Sequence, residues 1–309
     1  MEQKIIPHNK LNELKSAIKG EVFADEYTRL LYATDASAYR QIPQLVVRPA
    51  DINDLKTLIS FARNLGTSLI PRAAGTSLAG QVVGGGIVVD VSKHFTNIIE
   101  LNEQEHWIRL QPGIVLDELN KMLEPKGLFF GPETSTSNRC MIGGMVGNNS
   151  CGSHSLVYGS TRDHLLEVKA LLSDGSEVVF GNLTKTEFEQ KCNLQTLEGA
   201  VYRNIRNILE NPEDQAEIEA QFPDKSIHRR NTGYAIDLLL DNQPFTESGE
   251  EFNFCRLIAG SEGTLCFITE IKLNLVPLPP KEKALVCVHC HTLDETFRGN
   301  IIALKHKPV

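Results

Sequence analysis

The chain has 309 residues, 41% of them apolar and 23% charged, with a formal net charge of −8. This is an ordinary globular composition, and its acidic balance argues against a nucleic-acid partner. Seven cysteines, no apolar leader in MEQKIIPHNK and no run of about 20 apolar residues lead us to expect a cytoplasmic protein with free thiols and no membrane span.

Residues 9–32 carry Leu11, Leu14, Ile18, Leu30 and Leu31 on helical spacings, with a break at Gly20. The polar, turn-rich YATDASAYRQIP follows. QLVVRP reads as a strand ended by proline. DINDLKTLISFARNLG reads as a helix, with Asp51 as N-cap and Gly66 as its stop. TSLIPRAAG is a strand running into a loop, GIVVDVS and WIRLQPG are further strands, and VLDELNKMLEPKG is a helix. LLEVKALLSDGSEVVF reads as a hairpin around Asp174-Gly175. Residues 181–250 are polar and helix-forming, in the manner of an insertion. CRLIAGSEGTLCFITEIKLNLVPLP returns to strand–turn–strand character. KALVCVHCHTL reads as a last strand, followed by a short helical start. The pattern predicts an α+β protein of two lobes that meet between residues 125 and 135. Its divisions are a leading segment over 1–44, a first lobe over 45–130, a second over 131–280, and a further unit over 281–309.

Three loops concentrate residues suited to ligand chemistry. The first is Pro71-Arg72-Ala73-Ala74-Gly75-Thr76-Ser77, continuing through Gly80-Gln81. Small side chains let main-chain N–H groups approach a ligand, and glycine turns successive N–H groups inward as an anion nest. Thr76 and Ser77 add hydroxyls, and Arg72 adds a positive charge, which suits a pyrophosphate; read alone, the segment is equally a surface turn between strands. Neither a G-x-x-x-x-G-K-[ST] pattern nor a G-x-G-x-x-G between strand and helix occurs, so a nucleotide here would not use the Rossmann arrangement. The second loop runs from Gly131-Pro132-Glu133 through CMIGGMVGNNSCG to Tyr158-Gly159. Its glycine density predicts a packed loop against a flat ligand, not a helix, at about 1 kcal/mol per glycine relative to alanine. The third is Gly260-Ser261-Glu262-Gly263-Thr264, which alone reads as a turn into a strand.

Other motifs read more plainly. Cys287-Val288-His289-Cys290-His291 matches the C-x-x-C-H haem pattern and offers zinc ligands. In a strand, however, Cys287 and His289 face away from Cys290, and no second pair has matching spacing. These are read as strand residues, with no metal site. His106, His154, His164 and His228 lie singly and read as surface or satisfied histidines. Arg229-Arg230 before Asn231-Thr232-Gly233-Tyr234 reads either as a basic wall near a substrate or as a solvated turn.

Taken together, PRAAGTSLAGQ, IGGMVGNNSCG with the following YG, GSEGTLCFITEIKL and YATDASAYRQIPQLVVRP resemble the FAD-binding domain of the vanillyl-alcohol oxidase and p-cresol methylhydroxylase family. The branch resembled is that of FAD-linked oxidases: glycolate oxidase subunits, D-lactate dehydrogenases and D-2-hydroxyglutarate dehydrogenases. The likeness spans residues 25–280. It implies a two-subdomain fold of the p-cresol methylhydroxylase type with FAD between the subdomains. It also implies that residues 71–77, Gly80 and Gln81 hold the pyrophosphate. Pro132, Cys140, Met141, Gly143, Gly144, Asn148, Asn149, Ser150 and Gly152 would line the flavin and ribityl path. Glu262, Gly263, Thr264 and Ile268 would close over it. Two positions depart from the branch: Cys266 stands where it usually has glycine, and Cys151 where it has a small residue. Relatives with covalent flavin often carry a histidine in the first loop. Residues 72–81 hold neither histidine nor cysteine, so FAD is expected to be non-covalent.

The resemblance further implies oxidation of a small D-2-hydroxy acid of the lactate, glycolate or 2-hydroxyglutarate class to its 2-oxo acid. Electrons would pass to a quinone, an iron–sulfur centre or another protein. Residues 281–309 look like the start of a truncated cap domain, and the catalytic base is expected beyond residue 309. An alternative is a non-catalytic FAD-binding subunit of a larger oxidoreductase.

Overall fold

The computed structural model describes residues 6–227, 233–282 and 284–306. Helix α1 (His8–Ala17) buries Leu14, and the break predicted at Gly20 is sharper than a helix interruption. The buried carboxylate of Asp54 accepts the N–H groups of Lys19 (3.0 Å), Gly20 (2.9 Å) and Ala50 (2.8 Å). A Cβ on Gly20 would lie 2.1 Å from the Arg48 carbonyl oxygen. The chain is thereby drawn into a sheet as β1 (Glu21–Phe23) before α2 (Glu26–Leu31).

Strands β2 (Leu45–Arg48), β3 (Leu69–Arg72) and β4 (Ile87–Asp90) complete the first sheet, in the order β1-β2-β4-β3. Helix α3 (Ile52–Leu65) makes the crossover from β2 to β3, and β4 runs parallel to both. All of β4 is buried, as a central parallel strand requires. Both predicted ends of α3 are present: Asp51 accepts the Asn53 and Asp54 N–H groups, and Gly66 stops the helix at φ 63°. Replacing the cap, Asp51→Ala, should cost about 1 kcal/mol in urea unfolding.

The second sheet has five antiparallel strands, β5 (Ile98–Asn102), β6 (Trp107–Leu110), β8 (Leu165–Leu171), β9 (Glu177–Phe180) and β10 (Phe267–Asn274), in the order β5-β6-β10-β8-β9. It opens with β5 and β6, followed by α4 (Leu116–Leu123) and the short β7 (Leu128–Phe129). Next come α5 (Ile142–Asn148), α6 (Ser155–Tyr158), α7 (Thr161–His164) and the predicted hairpin of β8 with β9. The chain therefore changes sheets between Asp90 and Ile98, not at 125–135. Leu116, Leu119 and Leu123 of α4 share one core with Ile108 and Leu110, which ties that helix to the second lobe.

The predicted insertion holds α8 (Lys185–Cys192), α9 (Leu197–Leu209), α10 (Pro212–Gln221) and α11 (Ile236–Leu240). It is no surface appendage, because Phe188, Tyr202, Leu209 and Leu239 are fully buried in the same core. CRLIAG forms the short α12 (Cys255–Ile258) instead of a strand, and the chain then enters β10 (Phe267–Asn274) and β11 (Val276–Pro277). The strand predicted in KALVCVHCHTL does not form. Residues 284–290 pair with no other strand, and Leu285 and Val286 are 91% and 80% exposed. Apolar character without an adjacent edge does not make a strand. Helix α13 (Leu293–Leu304) follows, with no buried residue. Among the described residues, no helix is long and apolar enough to cross a membrane.

Candidate functional site

β3 delivers the first loop, and the other two loops close on it. Among the described residues, none of the main-chain N–H groups of residues 74–78 donates to a protein acceptor. Glycines at φ 68° (Gly75) and φ 74° (Gly80) curve this run. Uncommitted N–H groups on a curved segment of small residues suit an anion. Thr76 stands within this run. Ser77 Oγ donates to Gln81 Oε1 (2.5 Å) and accepts the Ala79 N–H (3.2 Å).

The second loop corrects the sequence expectation, because residues 142–148 are helical despite their glycines. Ile142, Met145 and Val146 are buried and supply an apolar stripe. The glycines serve close approach. A Cβ on Gly143 would lie 2.4 Å from Pro112 Cβ, and one on Gly144 would lie 3.4 Å from Ala73 Cβ. The N–H groups of Ile142 and Gly143 are taken by the carbonyls of Ile114 and Pro112. Met141, just before the helix, bridges to Val115. The exposed face of α5, with Gly144 and Asn148, therefore meets the first loop.

The third loop clamps the far end of α5. Gly260 and Glu262 donate their N–H groups to the carbonyls of Val146 (3.0 Å) and Gly147 (2.9 Å). Glu262 itself adopts φ 55°, and a Cβ on Gly263 would lie 3.2 Å from Pro71 Cγ. One side chain ties all three loops together: Gln81 Nε2 donates to Asn148 Oδ1 (3.0 Å) and to Glu262 Oε1 (2.5 Å). Thr264 Oγ1 donates to the Ser261 carbonyl (2.5 Å), so the Tyr234 hydroxyl donates to Thr264 (2.5 Å).

Several predicted residues build the wall and face inward. Cys140 is 4% exposed; its Sγ meets Thr134 Oγ1 at 3.2 Å, and its N–H and C=O pair with Thr136 and Leu116. Burial pushes this thiol above its ordinary pKa, against a smaller opposing effect of Thr134. Asn149 Oδ1 accepts the Arg162 N–H (2.9 Å), and the Ser150 carbonyl accepts both the N–H and hydroxyl of Thr161 (3.0 and 2.8 Å). Ile268 packs against the second core, and Pro132 is buried. Gly152 lets its backbone touch the 133–134 turn, where a Cβ would lie 2.0 Å from the Glu133 carbonyl oxygen. Cys266 packs against the core, and burial pushes its thiol up to about 12.

Tyr32, Thr34, Tyr39 and Pro112 also belong to the cluster, although nothing in their residue types marks them. Tyr39 lies over Gly80, where a Cβ would sit 2.7 Å from Tyr39 Cδ2. Of the histidines, His164 is buried, its Nε2 2.6 Å from the Tyr158 carbonyl, and His154 pairs with Glu133 at 2.5 Å. His228 and the segment from Arg229 to Thr232 lie outside the described residues. Among the described residues, no group of three or more His, Cys, Asp or Glu is placed to hold a metal ion. The thiols differ in access. Brief iodoacetamide treatment of the native protein should label exposed Cys287 and Cys290 and spare Cys140, Cys192 and Cys255. Peptide mass spectrometry reads the outcome.

A cavity of about 990 Å³ borders the second loop, lined by Gly131, Glu133, His154 and Tyr158 together with Phe129, Phe130 and Leu285. Asp117, Glu124 and Glu133 face it together with Lys121 and His154.

Two α+β lobes meet where an N–H-rich loop lies against a glycine-rich helix and a glycine turn, an arrangement suited to a nucleotide-type cofactor. Residues 43–181 match the family model of the FAD binding domain. The chain is 40% identical over 298 residues to a D-2-hydroxyglutarate dehydrogenase of Pseudomonas putida, covering 95% of this chain and 28% of the relative. It is 36% identical to the Escherichia coli enzyme of the same name, covering 94% of this chain and 28% of that enzyme. With glycolate oxidase subunit GlcD of Bacillus subtilis it shares 26% identity, covering 91% of this chain and 47% of the subunit. The chain thus spans little more than a quarter of the length of the dehydrogenases it matches. A solved structure of alkyldihydroxyacetonephosphate synthase superposes with a TM-score of 0.60 at 17% identity, over 90% of this chain and 42% of that one. This likeness shows a common fold, the two-subdomain α+β architecture expected from the sequence.

Proposed function

We propose that the three converging loops hold FAD without a covalent bond, and that the whole protein oxidises a D-2-hydroxy acid to the 2-oxo acid. The observation that carries the cofactor site is the run of uncommitted N–H groups at residues 74–78, fastened by Gln81 to Asn148 and Glu262. These N–H groups, with the Thr76 and Ser77 hydroxyls, hold the pyrophosphate. Gly143 and Gly144 keep α5 flat where the cofactor passes. The Glu262 carboxylate accepts from hydroxyl groups, and Gly263 and Thr264 shape the turn that closes the site. Bound FAD supplies two-electron redox chemistry. The substrate class rests on the D-2-hydroxyglutarate dehydrogenases and glycolate oxidase subunit to which the chain is similar. Electrons would pass to a quinone, an iron–sulfur centre or another protein. The catalytic base belongs to residues outside those assigned here. A cap opening over 281–309 and a cytoplasmic location suited to seven free thiols belong to the same reading.

Denaturing the FAD-loaded protein and filtering it tests the attachment. All flavin should pass the filter, and flavin left on the polypeptide would contradict non-covalent binding.

A further inference from the structure

Arg72 ends β3 opposite Asp90 of β4, at the root of the first loop. Its guanidinium turns toward the leading segment. Nη1 donates to the Thr34 carbonyl (2.8 Å) and the Tyr32 carbonyl (3.3 Å), and Cζ stands 5.1 Å from the Tyr32 ring centroid. The loop then folds back over the other side of the same group. A Cβ on Gly75 would lie 2.6 Å from Nη2 and 2.9 Å from Cζ. Gly75, at φ 68°, is thus seated on the cation. The platform beneath is also fixed. The Tyr32 hydroxyl donates to Asp90 Oδ2 (2.5 Å) and accepts from Arg48 Nη2 (2.8 Å). Asp90 and Asp35 balance the charge from a distance.

We propose that Arg72 is a positioning residue for the cofactor's pyrophosphate: from beneath the loop it sets the curvature of residues 73–78 and adds its charge to their N–H field, without touching the phosphate. Nη1 is engaged by the leading segment and Nη2 is covered by Gly75, so the cation acts through the loop. A planar guanidinium fills the slot between the Tyr32 ring and Gly75, and a lysine ammonium has neither the plane nor the fork to do so. In a partly desolvated setting its charge reaches the N–H groups with little screening. This inference rests on the FAD reading above.

The test is fluorescence titration of FAD into wild type, Arg72→Lys, Arg72→Gln, Gly75→Ala and the double variant Arg72→Lys with Gly75→Ala. Melting of each flavin-free protein is followed in parallel. Arg72→Lys and Gly75→Ala should each weaken FAD binding by about tenfold, the first by emptying the seat and the second by crowding it and straining the loop at φ 68°. The double variant should be no more than about twofold weaker than the worse single, as for two residues acting as one unit. Arg72→Gln should bind more weakly than Arg72→Lys, because it loses the charge as well. Should Arg72→Gln unfold, Arg72→Lys and Gly75→Ala still decide the matter. Wild-type affinity in Arg72→Lys, or additive losses in the double variant, would overturn the inference and leave the FAD site standing. Equal affinity in the lysine and glutamine variants would overturn the charge contribution. Failure of the wild type to bind FAD would overturn both the site and this inference.

Discussion

Phe252→Ala should lower the stability of the protein by about 3–5 kcal/mol. Phe252 is fully buried, and its ring centroid lies 4.7 Å from that of Phe188 and 4.8 Å from that of Phe254. Tyr202 and Phe245 complete the cluster at 6.1 and 6.2 Å. Phe254 in turn stacks edge-on against Phe180 of β9 at 5.5 Å. The cluster therefore fastens helices α8 and α9 to the second sheet. Phe252 also exchanges main-chain hydrogen bonds with Leu183, so the backbone is held and cannot collapse into the space an alanine would leave. Urea unfolding measures the loss. A change below about 1 kcal/mol would mean that the helices of residues 181–250 are not part of the core, as an appended insertion would predict.

The second large effect is on cofactor binding. Gly152→Val should weaken FAD binding by about a hundredfold, a loss near the upper end of the usual 1–3 kcal/mol cost of overpacking. The Cβ would collide with the Glu133 carbonyl, 2.0 Å from its oxygen and 2.8 Å from its carbon. These are backbone atoms with no rotamer to yield. The 133–134 turn must therefore move, and with it the wall formed by Pro132, Cys140 and Ser150. Gly175→Ala is the matched control. Gly175 sits at φ 85° in the β8–β9 turn with nothing within 4 Å of an added Cβ. It should cost stability through its backbone conformation alone and leave FAD affinity unchanged. Equal FAD affinity in Gly152→Val and wild type would remove this wall from the site.

Much of this arrangement is legible in the residues. Alternation, caps and turn glycines locate β2, α3, β3, β4 and the β8–β9 hairpin, since each is specified locally. The partition into lobes is not legible in the same way. β5 and β6 join the second sheet because β6 pairs with β10, more than 150 residues away in sequence, and no local pattern records a partner that distant. Glycine density in residues 142–148 argued against a helix through intrinsic propensity. Packing against Pro112 and Ala73 reverses that preference by rewarding a bare helix face. The converse error occurs in residues 284–290, where strand-like apolar residues find no edge. Within the site, the uncommitted N–H run follows from the small residues after β3. The direction in which Arg72 points depends on the carbonyls of Tyr32 and Thr34, about forty residues earlier, and only the folded chain brings these together. Gln81 illustrates the same limit: its type suggests a polar contact, but its partners lie in two other loops.

Whether these loops form an FAD site within this chain is decided by an absorption spectrum. The purified 309-residue protein is recorded before and after incubation with FAD and desalting, with circular dichroism on the same sample. Flavin bands should stay with the protein through desalting. A folded protein that retains no flavin would contradict the FAD site.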